Sequence, residues 1–338
     1  MMGGGGIGEA NAWFRHLALL STLLAVCVVS LGAYVRLSDA GLGCPDWPGC
    51  FGTMTVPESE AAIRQAQVAF PESDFDHGKA WKEMLHRYLA GSLGVLILVL
   101  TVLGWRASKL IQVSAWTPTM LLVLVTFQAM LGMWTVTMLL KPAVVTAHLL
   151  GGMATLALLT WIMHRHWGVV SRRFVSSVSL RLWIRAGVLV LFAQILLGGW
   201  TSTNYAALAC TDFPTCHGFW LPEMDFSNAF HWIRELGESI DGTPLELPAL
   251  TAIQWTHRIG ALVVLIYFGL LAWCLLRLEH MRKIGLLLLL LLFTQIGLGI
   301  ANLLLHLPLL LAVAHNLGAA MLVMTVMVLN SKITELPK

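Results

Sequence analysis

Eight long apolar stretches constrain this chain more than any other feature of its sequence. They run approximately over Trp13–Val35, His86–Trp105, Pro118–Leu140, Ala143–Met163, Leu182–Thr201, Gln254–Leu276, Ile284–His306 and Pro308–Leu329. Each reaches the roughly 20 residues that a helix needs to cross a bilayer. In lipid every backbone N–H and C=O must be satisfied internally, which leaves helices and closed barrels, and runs this long exclude barrel strands. The fold class is therefore all-α membrane protein with eight transmembrane helices. Composition agrees: 57% of the 338 residues are hydrophobic and 12% charged, about half the charged share of a water-soluble chain. No basic tract points to nucleic acid.

Lys and Arg in the short loops predict the orientation. Arg106 and Lys109 follow segment two, Arg165, Arg172, Arg173 and Arg181 follow segment four, and Arg277, Arg282 and Lys283 follow segment six. The loop after segment three has only Lys141, and the one after segment seven has none. Both termini are thus expected in the cytoplasm, and the long loops near 37–83 and 202–253 outside. Segment one is too long for a cleavable signal peptide, and it belongs to the repeat described next.

The chain matches itself. Cys44-Pro-Asp-Trp-Pro-Gly-Cys50-Phe-Gly52 recurs as Cys210-Thr-Asp-Phe-Pro-Thr-Cys216-His-Gly218. Gln128-Ala-Met-Leu-Gly132 recurs as Gln295-Ile-Gly-Leu-Gly299, Ala147-His148-Leu-Leu-Gly151 as Ala314-His315-Asn-Leu-Gly318, and His86-Arg87 as His257-Arg258. Four collinear matches mark a duplication. Each unit has four spans, so the copies share one orientation, and a pseudo-twofold axis along the membrane normal is expected between two tandem four-helix bundles. The units are placed at 13–163 and 182–330, joined by a cytoplasmic linker at 164–181.

The repeat sorts the 12 histidines. His86 and His148 lie near the outer ends of segments two and four, and His257 and His315 take the matching places in segments six and eight. Segments two and four run in the same direction, so two imidazoles can face each other across a bundle and hold a flat cofactor between them. The plainer alternative is that each histidine only hydrogen-bonds a neighbouring helix. Gly91, Gly132, Gly151, Gly260, Gly299 and Gly318 can let a porphyrin approach the backbone or serve helix packing. His16, His164, His166 and His280 read as cytoplasmic interfacial residues, His77, His217 and His231 as outer-loop residues. His306 has no histidine counterpart.

The copies differ beside the first histidine. Glu83 precedes His86 by one helical turn, where Gln254 precedes His257. Residues at i and i+3 share a face, so Glu83 can reach the pocket of His86 and move a proton or stabilise developing charge, whereas Gln254 can only hydrogen-bond. This places chemistry in the first copy and a resident cofactor in the second. The alternative makes Glu83 a solvated charge, or a favourable carboxylate, where the helix enters the membrane. Arg87 and Arg258 either pair with propionates or snorkel to headgroups, and Arg36, whose counterpart is Ser202, invites the same propionate role.

Cys44, Cys50, Cys210 and Cys216 fall in the outer loops, where thiols oxidise readily, and each Cys-x5-Cys loop is short enough to close as Cys44–Cys50 and Cys210–Cys216. Such a bond either orders a loop over the site or, in the first copy, takes part in redox chemistry. Cys27 and Cys274 read as apolar filler within spans. The mixed stretch Glu58–Phe70 suits a short amphipathic helix on the membrane surface.

Taken together, Glu83-Met-Leu-His86-Arg87, Ala147-His148, Thr256-His257-Arg258, Ala314-His315 and Gly32-Ala-Tyr-Val-Arg36-Leu-Ser-Asp-Ala-Gly-Leu-Gly-Cys44 resemble the heme A synthase family over roughly 13–330. The resemblance implies oxidation of the C8 methyl of heme O to a formyl group by successive hydroxylations. It implies that His86 and His148 hold the substrate heme, that Glu83 acts in the reaction, and that His257 and His315 are iron ligands of a resident heme b. It also implies a bacterial cytoplasmic membrane setting, with heme O synthase and cytochrome oxidase assembly factors as neighbours. An external electron donor is required, since no flavin or nicotinamide fingerprint is present. Two other readings stay open on the residues alone: a diheme b-type electron carrier, and a heme-handling chaperone or exporter.

Overall fold

The computed structural model describes residues 4–106, 114–167, 174–175 and 177–334. Lys109, Arg172 and Arg173, and with them part of the expected linker, lie outside the described residues. Among the described residues, eight helices are long and apolar enough to cross a membrane. They are α1 (Gly4–Leu37), α3 (His77–Arg106), α4 (Trp116–Thr137), α5 (Pro142–Trp167), α6 (Val178–Thr203), α8 (Leu247–Leu276), α9 (Arg282–Leu304) and α10 (Leu309–Lys332). The short helices α2 (Glu60–Ala69) and α7 (Phe226–Ala229) lie in the two long loops. The chain is a multi-pass, all-helical membrane protein. The residue pairs Phe174–Val175 and Ile333–Thr334 meet as a parallel bridge.

Two of the boundaries that differ from the hydropathy reading matter for the site. Helix α3 begins at His77, not His86, and α8 at Leu247, not Gln254. The extra turn of α3 is polar, so an apolar window misses it. It forms because Asp76 caps it, its carboxylate accepting from the Lys79 N–H at 2.9 Å. The ligand candidates His86 and His257 therefore lie more than two turns inside their helices, and His77 opens a helix rather than sitting in a loop. The Glu58–Phe70 stretch does form a helix, α2, capped by Ser59. Cys27 and Cys274 are exposed on their helices, not filler between them.

Packing follows the repeat. In the first half α1 packs on α3 and α5, and α4 on α3 and α5; in the second half α6 packs on α8 and α10, and α9 on α8 and α10. Between the halves α5 meets α10, α1 meets α10 and α5 meets α6. This set of pairs is unchanged when each helix is exchanged with its counterpart. The backbone repeats as well: the non-glycine residues with positive φ form four pairs, Asp39 with Tyr205, Phe51 with His217, Leu139 with His306 and Leu140 with Leu307. The last two pairs are the tight turns that end α4 and α9 short of Leu140 and His306.

Hydrocarbon tails are as apolar as leucine, so helices associate here through close fit and interhelical hydrogen bonds rather than hydrophobic drive. The largest buried cluster runs through Phe14, Leu156, Leu159, Ile184, Leu191, Val323 and Val326 where the halves meet. His166 is buried there too, its ring 4.4 Å from that of Phe14. Three side-chain contacts join a residue to its own repeat counterpart. Arg36 donates to the Ser202 carbonyl at 3.1 Å, the Tyr205 hydroxyl donates to Asp39 at 3.4 Å, and His164 meets Ser331.

Candidate active site

The helix period aims the four histidines inward. Leu93, Ile97 and Leu100 lie seven, eleven and fourteen residues after His86 on the same face of α3, and all are buried. Val264, Phe268 and Leu271 do the same for His257 on α8. Each ring then rests against a glycine of the neighbouring helix. A Cβ on Gly32 would come within 2.9 Å of His86, on Gly132 within 3.2 Å of His148, on Gly198 within 3.1 Å of His257 and on Gly299 within 3.2 Å of His315. A side chain at Gly32 would force the ring to shift, and at the other three places the imidazole would have to give by a few tenths of an ångström.

The rings of His86 and His148 face each other with centroids 6.5 Å apart. A metal ion bonded at about 2 Å to one nitrogen of each of two opposed imidazoles sets their centres roughly 6 Å apart. The Nδ1 atoms of His86, His148 and His315 are buried against the backbone of Val28, Gln128 and Gln295 without a well-formed hydrogen bond. A continuous cavity of about 1690 Å³ reaches all four histidines together with Glu83 and Gln254. Paired imidazoles and a glycine-flanked, mostly apolar cavity fit a porphyrin iron between the paired helices.

Three half-buried glutamines, not singled out by sequence reasoning for this role, tie ligand helices to their neighbours. Gln194 donates to the carbonyl of His257 at 3.1 Å and contacts its Nδ1 at 3.0 Å. Gln128 donates to the His148 carbonyl, and Gln295 lies 3.3 Å from His315 Nε2. Each packs on a glycine, Gly260, Gly151 and Gly318, three residues after the histidine it serves. The fourth place breaks the pattern: Val28 stands where the others have glutamine and Leu89 where they have glycine. The detectable signal was Gln-x3-Gly in an apolar span, paired with His-x2-Gly in the next.

Glu83 is 4% exposed, which removes the reading of a solvated charge, and it lies well past the first turn of α3. One carboxylate oxygen accepts from the Cys44 backbone N–H at 3.0 Å, and the other is paired with Arg87. Gln254 makes the equivalent bond, its oxygen accepting from Cys210 N–H at 3.0 Å while its amide donates to the Ala207 carbonyl at 2.6 Å. The arginines turn toward the loops, not toward headgroups. Arg87 donates to the carbonyls of Asp46 (2.8 Å) and Gly49, and Arg258 to those of Thr215 (2.8 Å) and Cys210 (3.0 Å). Arg36 bonds Ser202 and the Tyr205 hydroxyl. All three still border the cavity.

Cys44 is joined to Cys50, and Cys210 to Cys216. Each ring is knotted by an aspartate. Asp46 accepts from the N–H groups of Phe51 and Gly52 at 2.6 and 2.9 Å, and Asp212 from those of His217 and Gly218 at 2.7 and 3.0 Å. Hydrogen bonds, that of the Thr215 hydroxyl first, hold the Asp212 carboxyl well below the usual range. His217 lies close to Cys210 and Cys216, but their sulfurs are consumed in the disulfide and offer no thiolate to a metal. Segment 53–80 folds over the first cysteine ring, where Cys44, Cys50, Phe51 and Met84 cluster with Phe70 and Phe75, whereas segment 220–250 packs Ala229 and Phe230 on Trp200.

Comparison with known proteins matches this arrangement. Residues 15–327 fit the COX15-CtaA family, described as cytochrome oxidase assembly protein. A heme A synthase of Shewanella oneidensis is 43% identical over 322 residues, covering 94% of this chain and 95% of that protein. The heme A synthase of Paracoccus denitrificans is 28% identical across 95% of this chain and 88% of its own length, and that of Halalkalibacterium halodurans is 26% identical across 72% and 77%. With nearly the whole length covered and the paired-histidine spans inside the matched region, the chain belongs to the COX15-CtaA family of cytochrome oxidase assembly proteins.

Proposed function

We propose that this chain is a heme A synthase that oxidises the C8 methyl group of heme O to a formyl group. The observation that carries the reading is an asymmetry inside a near-exact repeat. Both copies present two histidines to the cavity, yet only the first has a carboxylate, Glu83, on the ligand helix. On this reading His86 and His148 hold heme O. Glu83, fixed by the Cys44 N–H and Arg87, takes up the proton released as the methyl group is oxidised, or stabilises charge that develops there.

His257 and His315 hold the resident heme b, with Gln194 and Gln295 fixing their helices. That heme would supply one-electron chemistry between the substrate site and an external redox partner. Arg36, Arg87 and Arg258 border the porphyrin sites and are proposed to act on propionates through the loops they hold. The two four-helix units, 13–163 and 182–330, are proposed to be related by a twofold axis along the membrane normal. The self-counterpart contacts of Arg36 at one end and His164 at the other support it, because a residue meets its own counterpart only near such an axis. The excess of Lys and Arg on one side supports cytoplasmic termini in a bacterial inner membrane.

The test is heme analysis. The chain is produced in a host that lacks heme A and is supplied with heme O synthase, and the hemes are extracted and identified by chromatography and mass. Heme A or its hydroxylated precursor, absent from a His86→Ala control, is the expected result. A folded, heme-loaded protein containing only heme B and unaltered heme O would make it a carrier or chaperone instead.

A further inference from the structure

The two copies also differ on the wall of the helix that bears the first histidine. On α3 the Thr101 hydroxyl donates to the Pro118 carbonyl and the Trp105 indole N–H donates to Thr119, both at 2.9 Å, so this face of α3 meets α4. Gly94 lies seven residues before Thr101 on the same face, and Gly91 roughly a turn earlier. A Cβ on either glycine would have nothing within 4 Å. Helices α3 and α4, joined near Thr101, thus part around Gly94 and Gly91, and α3 packs less extensively on α4 than α8 on α9. In the second copy the positions five and eight after the histidine are Leu262 and Leu265. All four residues line the cavity that contains the histidines.

The space begins about 7.5 Å along the helix axis from His86 at Gly91 and reaches about 12 Å at Gly94, at 1.5 Å per residue, and it is apolar. The gap adjoins the first histidine pair, His86 and His148, whose ring centroids are 6.5 Å apart. Heme O differs from heme b by a long isoprenoid chain on the porphyrin rim, a hydrocarbon that needs an apolar path out of the iron site. We propose that the α3 wall at Gly91 and Gly94 seats the isoprenoid tail of the substrate, and that Leu262 and Leu265 deny this space in the second copy. The tail then decides which porphyrin enters which site. This rests on the reading that His86 and His148 hold heme O.

The test is the porphyrin content of purified holoprotein from cells that make both heme B and heme O, counting heme O and heme A together as tailed porphyrin. Gly91→Leu/Gly94→Leu is expected to lose tailed porphyrin by about tenfold or more, as expected for overfilling a fitted site, while retaining heme B. Unchanged tailed porphyrin in this variant would overturn the proposal. Should the variant lose all heme, Leu262→Gly/Leu265→Gly in a His86→Ala background decides. Uptake of tailed porphyrin at the second site supports the proposal, and heme B alone overturns it. Tailed porphyrin retained at full level by His86→Ala with an unaltered second site would instead sink the assignment of His86 and His148 to the substrate.

Discussion

Glu83 and Gln254 accept the same hydrogen bond at the same length: each takes the backbone N–H of the first cysteine of its outer loop at 3.0 Å. The amide in the second copy demonstrates that holding the loop needs an oxygen acceptor and no charge. A Glu83→Gln variant should therefore keep the Cys44–Cys50 loop and both hemes, and lose oxidation by about 100-fold or more, the scale of a lost proton-transfer group. Heme retention is read from the visible spectrum and oxidation from extracted hemes. Full activity in the glutamine variant would remove Glu83 from the chemistry.

The cysteine ring has other fastenings besides its disulfide. Arg87 holds the carbonyls of Asp46 and Gly49, and Asp46 holds the N–H groups of Phe51 and Gly52. Cys44→Ser/Cys50→Ser should thus leave heme binding within about twofold of the parent, since the remaining bonds each contribute on the order of 1 kcal/mol. If oxidation falls far more than heme binding, the pair has a redox role; if both stay level, it is a clip.

Gln194 offers a sharper contrast, because Val28 already shows what the same place looks like without it. Replacing Gln194 by Val removes the contacts at 3.0 and 3.1 Å to His257. Groups that orient a ligand histidine typically change metal affinity by roughly 10- to 100-fold. The expected result is faster loss of the second heme to an excess of heme-free acceptor protein, with the first site unaffected. Equal loss rates would mean that Gln194 only joins helices.

Much of this was legible from residues, and the failures have particular causes. The spans and the histidine pairs stand out because both periodic apolarity and the repeat report them. The start of α3 does not, because His77-Gly-Lys-Ala-Trp-Lys is polar and its helix depends on the Asp76 cap. Glu83 was visible as a difference between copies, but its partner was not: the Cys44 N–H lies 39 residues away, in a loop whose path no local pattern encodes. The loop contacts of the arginines were not legible for the same reason, since propionates, headgroups and loop carbonyls all attract a guanidinium and only the folded loop shows which carbonyls are within reach.

Arg36 reaches across the copies, bonding the Ser202 carbonyl and the Tyr205 hydroxyl with its guanidinium 4.6 Å from the Tyr205 ring centre. Both bonds and the stacking need the planar fork, which lysine lacks. Arg36→Lys and Arg36→Ala should lower the melting temperature of the holoprotein in detergent by similar amounts, the loss being on the order of 1–3 kcal/mol. Full rescue by lysine would reduce the contact to simple charge.

The second outer loop should resist acid. Asp212 accepts from the Thr215 hydroxyl at 2.6 Å and from the N–H groups of Gly218 and His217, and its carboxyl is held well below the usual range by these bonds, that of Thr215 first. A carboxyl whose folded value is depressed contributes stability that is complete above its unfolded value, about 3.9, and lost only as pH falls through the lowered folded value. Protection of the His217 and Gly218 amides against hydrogen exchange, corrected for intrinsic rates, should therefore stay level from pH 7 to about pH 4. Asp212→Ala should lose that protection throughout the range. A wild-type midpoint near the ordinary aspartate value would mean that the clasp does not hold Asp212 in its ionised form.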